Sequence, residues 1–298
     1  DGAERRDLAQ VDLLGLATGD CGIASPAIQD DASPALVVLP HALAIRATAV
    51  PAPQGLGWYV WNGQALLEHP GRLDTLPKGS KRILLSFTAP QLRALTQPPD
   101  QKKLVQLIAQ AHLLGLRVEL LLGEPTRVLP ERRQALLDLL TPLRTLPFDG
   151  LHLDLERSQL PPAVQHRWGD AVLDTLHAAR AAVDWPLALT THFRELQTPD
   201  FAQRVHGAGA TELVAMVYVS DPGRAAAIAR PLLRGPQGLR LAVAQSIEST
   251  LAPQESSYRA GKAAGLRHWR QLAQSLGTQP GFSGILVQSL DEFNKARP

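Results

Sequence analysis

Phe148-Asp-Gly-Leu-His-Leu-Asp-Leu-Glu156 is the most informative stretch of this 298-residue sequence. Side chains along a β-strand alternate between its two faces, so three leucines share one face and Gly150, His152, Asp154 and Glu156 share the other. In a parallel barrel the leucine face would pack against helices and the polar face would point inward. Burying unpaired carboxylates costs on the order of several kcal/mol, so this polar face predicts a functional site at the carboxyl end of the strand.

Seven further apolar runs have the length and composition of strands, and segments with helical spacing separate them. Alternation of this kind predicts parallel pairing through helical crossovers. Eight strands with their helices over roughly 240 residues match a (β/α)₈ TIM barrel, whereas a doubly wound open sheet usually has fewer strands. The predicted strands are Trp58–Asn62, Ile83–Thr88, Val118–Leu122, Gly150–Glu156, Leu187–His192, Leu213–Val219, Leu239–Gln245 and Gly284–Gln288.

The predicted barrel occupies residues 58–298 and follows an N-terminal extension of residues 1–57. Within the extension, Ala35–Val38 and Ala42–Val50 are candidates for an extra hairpin or a plug of the barrel. Pro51–Gly57 has the composition of a linker. The interval Gln64–Ser80 has the weakest helical pattern, since prolines and glycines interrupt it.

Composition excludes several classes of protein. Thirty basic and 28 acidic side chains leave a net charge of +2, which gives no electrostatic reason to expect nucleic acid or an anionic membrane as partner. Cys21 is the single cysteine, so neither an intrachain disulfide nor a cysteine-rich zinc site can form. No apolar run approaches the ~20 residues that span a bilayer. We expect a periplasmic or secreted protein whose signal peptide is absent from this sequence.

The spacing of Asp154 and Glu156 suits acid–base chemistry. Two carboxyl groups two residues apart on one strand are near neighbours, and ionisation of one raises the pKa of the other. A Glu that stays protonated near neutral pH can donate its proton to a glycosidic oxygen as a general acid. The competing interpretation is a structural ion pair at the rim of the barrel.

This strand resembles the catalytic strand of the glycoside hydrolase family 18 chitinases and their relatives, whose signature is Asp-Gly-x-Asp-x-Asp-x-Glu on the fourth barrel strand. His152 stands in place of the first internal Asp of that signature. The resemblance implies that Glu156 is the general acid/base. It also implies that Asp154 orients the N-acetyl group of the substrate, whose carbonyl oxygen acts as the nucleophile.

Two further strands partly match the same family. Met216-Val-Tyr218-Val219 resembles the Met-x-Tyr-Asp of the sixth strand without its Asp, and the resemblance implies that Met216 and Tyr218 contact the substrate. On the eighth strand, Gln288 stands where the family has a tryptophan beneath the reacting sugar. Ser86 ends the second strand, where the family has a motif of small residues.

Other candidates come from their positions at strand ends. Trp61, with Trp58, is a candidate platform for stacking a sugar ring, and His192 follows the fifth strand, where loops line the cleft of a barrel. His152 has two interpretations, a substrate contact or a buried imidazole bonded to Asp154. Core packing would equally explain Met216 and Tyr218.

We therefore expect a glycoside hydrolase that acts on an oligosaccharide or polysaccharide containing N-acetylhexosamine, without a cofactor or metal. One alternative is a glycan-binding or polysaccharide-assembly barrel that has lost turnover. Another is a glycosidase that pairs Glu156 with a distant carboxylate such as Glu124 or Asp221, and cleaves sugars lacking an N-acetyl group. A metal site of His152, Asp154 and His192 would instead suit a polysaccharide deacetylase.

Overall fold

A computed structural model describes residues 55–298, which form a closed barrel of eight parallel strands. Each strand pairs with the next in the sequence, and β8 pairs with β1. The predicted (β/α)₈ fold is therefore confirmed. The strands are β1 Leu56–Val60, β2 Ser80–Ser86, β3 Arg117–Leu122, β4 Gly150–Asp154, β5 Leu187–His192, β6 Glu212–Met216, β7 Arg240–Ser246 and β8 Phe282–Gln288.

Nine α-helices lie between residues 55 and 298, and several short 3₁₀ turns accompany them. None of these helices is both long enough and apolar enough to cross a bilayer. The helices are α1 Gly63–Glu68, α2 Ala89–Ala94, α3 Pro98–Leu113, α4 Pro130–Leu143, α5 Trp168–Ala182, α6 Phe201–Gly207, α7 Pro222–Leu232, α8 Lys262–Leu276 and α9 Leu290–Lys295.

The first strand begins inside the segment that the sequence marks as linker-like. Gly57 belongs to β1, and a Cβ atom there would collide with the side chains of Leu286 and Arg82. This glycine is therefore needed for close packing inside the barrel. The weak interval Gln64–Ser80 holds most of α1 and a 3₁₀ turn at Pro70–Thr75. The predicted hairpin of Ala35–Val38 and Ala42–Val50 lies outside the described residues.

Two apolar clusters build the core. The larger lies between the strands and the helices, and it contains the leucines of β4, Leu151 and Leu153. The smaller fills the barrel itself, as expected when alternate residues of each strand point inward. Its buried members are Tyr59, Leu84, Leu121, Val214, Met216, Ala242, Ala244 and Leu286.

The amino ends of the strands carry a buried ionic cluster, which we call the floor cluster: Arg82, Glu119 and Glu212. Arg82 Nη1 lies 2.5 Å from Glu212 Oε2 and 3.5 Å from Glu119 Oε1. Burial alone would raise the pKa of Glu119, but Arg82, His152 and Arg117 together lower it to about 2. Glu119 is therefore an anion at neutral pH, enclosed within the barrel.

Candidate active site

The polar face of β4 points into the barrel and rises toward its carboxyl-end mouth. Asp154 ends the strand and is 1% exposed, whereas Glu156 lies just beyond it and is half-buried. Leu155, between them, faces the helices, and its carbonyl oxygen accepts a hydrogen bond of 2.7 Å from Trp168 Nε1 of α5. This alternation is the one that the sequence predicts, and it brings the two carboxylates to one side of the mouth.

A short turn holds the carboxylate of Glu156. Ser158 Oγ donates to Glu156 Oε2 at 3.2 Å, and Gln159 Nε2 donates to Glu156 Oε1 at 2.5 Å. Both donors belong to the strand–helix loop that follows β4, in or beside the 3₁₀ turn Arg157–Gln159. Arg157 of the same turn pairs at 3.2 Å with Glu195, which follows β5. The loops after two neighbouring strands are thereby tied together beside Glu156.

Two tyrosines lie within the electrostatic field of these carboxylates. Burial raises the pKa of Tyr59 well above its ordinary value, and the charges of Asp154 and Glu156 raise it further. Burial likewise raises the pKa of Tyr218, to which Tyr59, Glu248, Asp154 and Glu156 add. Both phenols therefore keep their protons at neutral pH and remain hydrogen-bond donors.

Glu248 is a third carboxylate at the mouth, and its charge acts on Tyr218, which follows the neighbouring strand β6. It follows β7, and Ser246 Oγ donates to its Oε2 at 3.1 Å while its own backbone N–H donates back to Ser246 Oγ at 3.0 Å. Ser256 Oγ donates to the Glu248 carbonyl oxygen at 2.7 Å. The loop after β7 thus holds this residue in a defined position.

His152 lies below Asp154 and is fully buried, with an exposed fraction of 0%. Its Nε2 lies 2.5 Å from Thr190 Oγ1 and 3.3 Å from Tyr59 Oη, and its Nδ1 lies 3.5 Å from Glu119 Oε2. These partners come from other strands, whereas the sequence suggested Asp154 as partner. A direct substrate contact would require His152 to move, because its ring is enclosed by Thr190, Tyr59 and Glu119.

The remaining predicted substrate contacts lie on inward positions near the mouth or at its rim. Trp61 stacks on Tyr59 with ring centroids 6.1 Å apart, and Tyr218 packs against the same inner cluster. Met216 is 4% exposed within that cluster. Gln288 is 7% exposed, and its side-chain amide makes no hydrogen bond to other residues of 55–298.

Ser86 and His192 end their strands at the same end of the barrel. His192 is half-buried, and its Nδ1 accepts from the backbone N–H of Arg194 at 3.2 Å. Burial lowers the pKa of His192, and the charge of Arg194 lowers it further. A neutral imidazole therefore faces solvent at the rim.

Several residues that the sequence offered as alternative site residues have structural roles in the barrel. Glu124 accepts hydrogen bonds from Thr126 N and Oγ1 and thereby caps a 3₁₀ turn, and Asp221 caps α7 by accepting from Arg224 N. Trp58 is fully buried against Trp269 and Phe293 outside the barrel. Within the described part of the chain, no three His, Cys, Asp or Glu side chains are grouped so as to hold a metal ion.

The first residue of the signature, Asp149, lies at the opposite end of β4. Its Oδ2 accepts from Val118 N of β3 at 2.7 Å and lies 2.8 Å from His112 Nε2 of α3. Arg117 Nη2 donates to its carbonyl oxygen at 3.0 Å. Asp149 therefore joins three elements at the amino end of the barrel, far from the mouth.

Sequence reasoning missed Tyr59, Glu119 and Thr190. One signal for Glu119 was present, since a single carboxylate in the middle of the apolar run Arg117–Leu122 is costly unless it is paired inside. Arg82 and Glu212 give the same signal in β2 and β6. Glu248 follows the predicted strand Leu239–Gln245, a position where loop residues can line a cleft, but its place beside Tyr218 depends on the pairing of β6 with β7.

Comparisons with known proteins agree on the fold. No protein-family model and no curated protein matches the sequence. A solved β-1,4-mannanase of glycoside hydrolase family 113 has a TM-score of 0.52 at 10% identity, over 81% of this chain and 89% of that one. A complex structure of a β-1,4-mannanase of the same family has a TM-score of 0.51 at 10% identity, over 82% and 90%.

The protein thus shares the (β/α)₈ barrel fold with these mannanases. At this identity the likeness shows the fold alone. The neighbours belong to family 113, so they do not single out the family 18 chitinases that the β4 strand resembles.

Proposed function

We propose that this barrel is a glycoside hydrolase that acts on a glycan containing N-acetylhexosamine, with Glu156 as general acid/base and Asp154 as the group that orients the N-acetyl substituent. The observation that carries the proposal is that Asp154, at the carboxyl end of β4, and Glu156, just beyond it, both act electrostatically on two protonated phenols. Active sites of (β/α)₈ enzymes lie at this end of the barrel.

The proposed chemistry uses groups that meet at the mouth. Glu156 would protonate the leaving glycosidic oxygen, while the acetamido oxygen of the sugar attacks its anomeric carbon and forms a cyclic intermediate. Asp154 would hold the acetamide N–H during this attack. Tyr218 would donate a hydrogen bond to the acetamide, and Gln288, whose amide is free of other described side chains, would contact sugar hydroxyls.

A second candidate is a glycosidase that uses an enzyme carboxylate as its nucleophile or base and needs no N-acetyl group. The observation in its favour is Glu248, which shares the electrostatic surroundings of Tyr218 with Asp154 and Glu156. It replaces Glu124 and Asp221 as the distant carboxylate of this mechanism, because both of those residues cap local turns.

The test is product release from a panel of N-acetylated and non-acetylated glycans, a β-1,4-mannan included, with the natural protein, Glu156→Gln and the matched control Glu124→Gln. Removal of a general acid is expected to lower kcat about a hundredfold or more, because such catalysis contributes 10²–10⁴-fold. Glu124→Gln should retain activity, since that carboxylate serves a turn.

Each outcome decides between the candidates. Cleavage of N-acetylated glycans alone supports the proposed substrate-assisted reaction, whereas cleavage of sugars without that group favours the mechanism with Glu248. Glycan binding without cleavage by any of the three proteins would leave a glycan-binding or assembly barrel. A polysaccharide substrate also places the protein, in our proposal, in the periplasm or outside the cell.

A further inference from the structure

A chain of polar side chains runs through the interior of the barrel, from the floor cluster toward the carboxylates at the mouth. It passes from Glu119 on β3 to His152 on β4, then to Thr190 on β5 and Tyr59 on β1. The separations are 3.5 Å for Glu119 Oε2 to His152 Nδ1, 2.5 Å for His152 Nε2 to Thr190 Oγ1, and 2.6 Å for Thr190 Oγ1 to Tyr59 Oη. The chain ends beneath Asp154, whose charge acts on Tyr59.

We propose that Glu119 fixes the tautomer of His152 with the ring proton on Nδ1, and that this directs every proton of the chain away from Asp154. Glu119 and His152 are then positioning residues, because both are buried and neither borders the mouth. The consequence for Asp154 rests on the proposed function, whereas the tautomer itself does not.

The tautomer follows from the pairing of two buried atoms. Glu119 is ionised and can only accept hydrogen bonds. Its Oε2 lies 3.5 Å from His152 Nδ1, and both atoms are buried without a close hydrogen-bond partner among residues 55–298. A proton on Nδ1 gives each of these two atoms its complementary group at that separation. A proton on Nε2 would leave two acceptors facing each other in a buried site, at a cost of about 1–3 kcal/mol for each unsatisfied group.

The direction of the remaining hydrogen bonds follows from this proton. Nε2 becomes an acceptor, so Thr190 donates to it and uses its own oxygen to accept from the Tyr59 hydroxyl. The Tyr59 hydroxyl therefore donates its hydrogen bond to Thr190 Oγ1. With the other tautomer the chain would reverse, and the Tyr59 hydroxyl would be free to turn toward Asp154. A hydrogen bond to the charged form of a carboxyl lowers its pKa.

Charged and titratable groups from five strands surround His152, and each of them influences which ring nitrogen carries the proton. Glu119, Arg82, Glu212 and Arg117 form the charged surroundings below it, and Tyr59 and Asp154 lie above. Of these side chains, Glu119 and Tyr59 contact the imidazole. Glu212 therefore offers a matched control, since it pairs with the same Arg82 without touching His152.

The first test uses the unmodified full chain. Nitrogen-15 NMR at about pH 8, where an ordinary imidazole is neutral, separates the two tautomers of a histidine by the shifts of its ring nitrogens. The signals of His152 are assigned by their loss in His152→Gln. We expect a protonated Nδ1 and an unprotonated Nε2. A protonated Nε2 with a bare Nδ1 would overturn the proposal.

The second test compares Glu119→Met with Glu212→Met. Methionine removes the acceptor at similar volume, whereas glutamine would keep a carbonyl that could still accept from Nδ1. We expect the His152 proton to move to Nε2 in Glu119→Met only. In that variant the acid midpoint of the activity profile should fall, because the Tyr59 hydroxyl is then free to turn toward Asp154, and a hydrogen bond to the charged form of a carboxyl lowers its pKa.

The NMR measurement of the His152 tautomer tests the proposal even if the protein shows no glycosidase activity. An unchanged tautomer in Glu119→Met, or an equal change in Glu212→Met, contradicts the role of Glu119. If no glycan is cleaved by any protein of the panel, the proposed function fails while the tautomer result stands. If a variant does not fold, the measurement on the unmodified chain remains decisive.

Discussion

Three carboxylates at the mouth, Asp154, Glu156 and Glu248, act electrostatically on the phenol of Tyr218. We expect Tyr218→Phe to lower kcat about a hundredfold, with a small change in KM, because it removes one donor that we propose positions the acetamide for attack, and misplacement of a reacting group can cost about 10²-fold. Tyr258→Phe is the matched control, since that tyrosine packs against the outer core. Steady-state kinetics on the glycan that the panel identifies will measure both.

The pH dependence of the Tyr218→Phe effect is a sharper test. Burial and the surrounding carboxylates raise the pKa of Tyr218 well above its ordinary value, so the phenol stays protonated across neutral pH. The ratio of the two kcat values should therefore stay constant between about pH 5 and 9. A ratio that falls toward one as the pH rises through this range would mean that the phenol ionises there, against this assignment.

At the scale of elements, β4 is anchored at its amino end by Asp149, which binds β3 and α3. We expect Asp149→Ala to lower the free energy of unfolding by about 1–3 kcal/mol, because Val118 N loses a buried acceptor. Asp138→Ala is the control, since its carboxylate accepts from Gln134 on the exposed face of α4. Denaturant titration measures both. A kcat reduced as far as in Glu156→Gln, with stability unchanged, would contradict this structural role.

The strands show which structural features a local sequence pattern can predict. Leu187–His192 is predicted with both of its ends, and the inward face of β4 is predicted residue by residue, because alternation within one strand is a local property. β1 is displaced by two residues, because Gly57 looks like a linker glycine until Leu286 of β8 packs against it. That contact exists only once the barrel closes.

Local patterns likewise predict only part of the candidate site. Asp154 and Glu156 follow from one strand, whereas the partners of His152 come from β1, β3 and β5. Their meeting depends on the register of pairs such as Leu121 with His152, which no periodicity in the sequence encodes. A charge in the middle of an apolar run indicates that a partner exists, but the closed barrel determines which partner it is.

At the scale of the whole molecule, the two ends of the barrel interior carry different charges. The floor cluster joins β2, β3 and β6 through Arg82, whose guanidinium pairs with two carboxylates. The mouth gathers Asp154, Glu156 and Glu248 around Tyr218. The chain from Glu119 to Tyr59 connects the ends, so a change in the floor cluster can alter the mouth without touching it.

Arg82→Met tests how much the floor cluster contributes to the free energy of unfolding of the barrel. It leaves buried carboxylates uncompensated, and we expect the free energy of unfolding at neutral pH to fall by about 3–5 kcal/mol. Arg117→Met is the control, since that side chain is partly exposed and lies 3.7 Å from Glu119. Its loss should cost about 1 kcal/mol.

The cost of Arg82→Met should also depend on pH. The pKa of Glu119 is lowered from 4.5 to about 2 in the folded protein, so the stabilisation that it gives is present above pH 4.5 and is lost as the pH falls toward 2. Arg82 is the main favourable cause of that shift, so the difference in stability between natural protein and variant should shrink through this window. Denaturant unfolding at a series of pH values measures it, and a difference that grows on acidification would contradict an ionised Glu119.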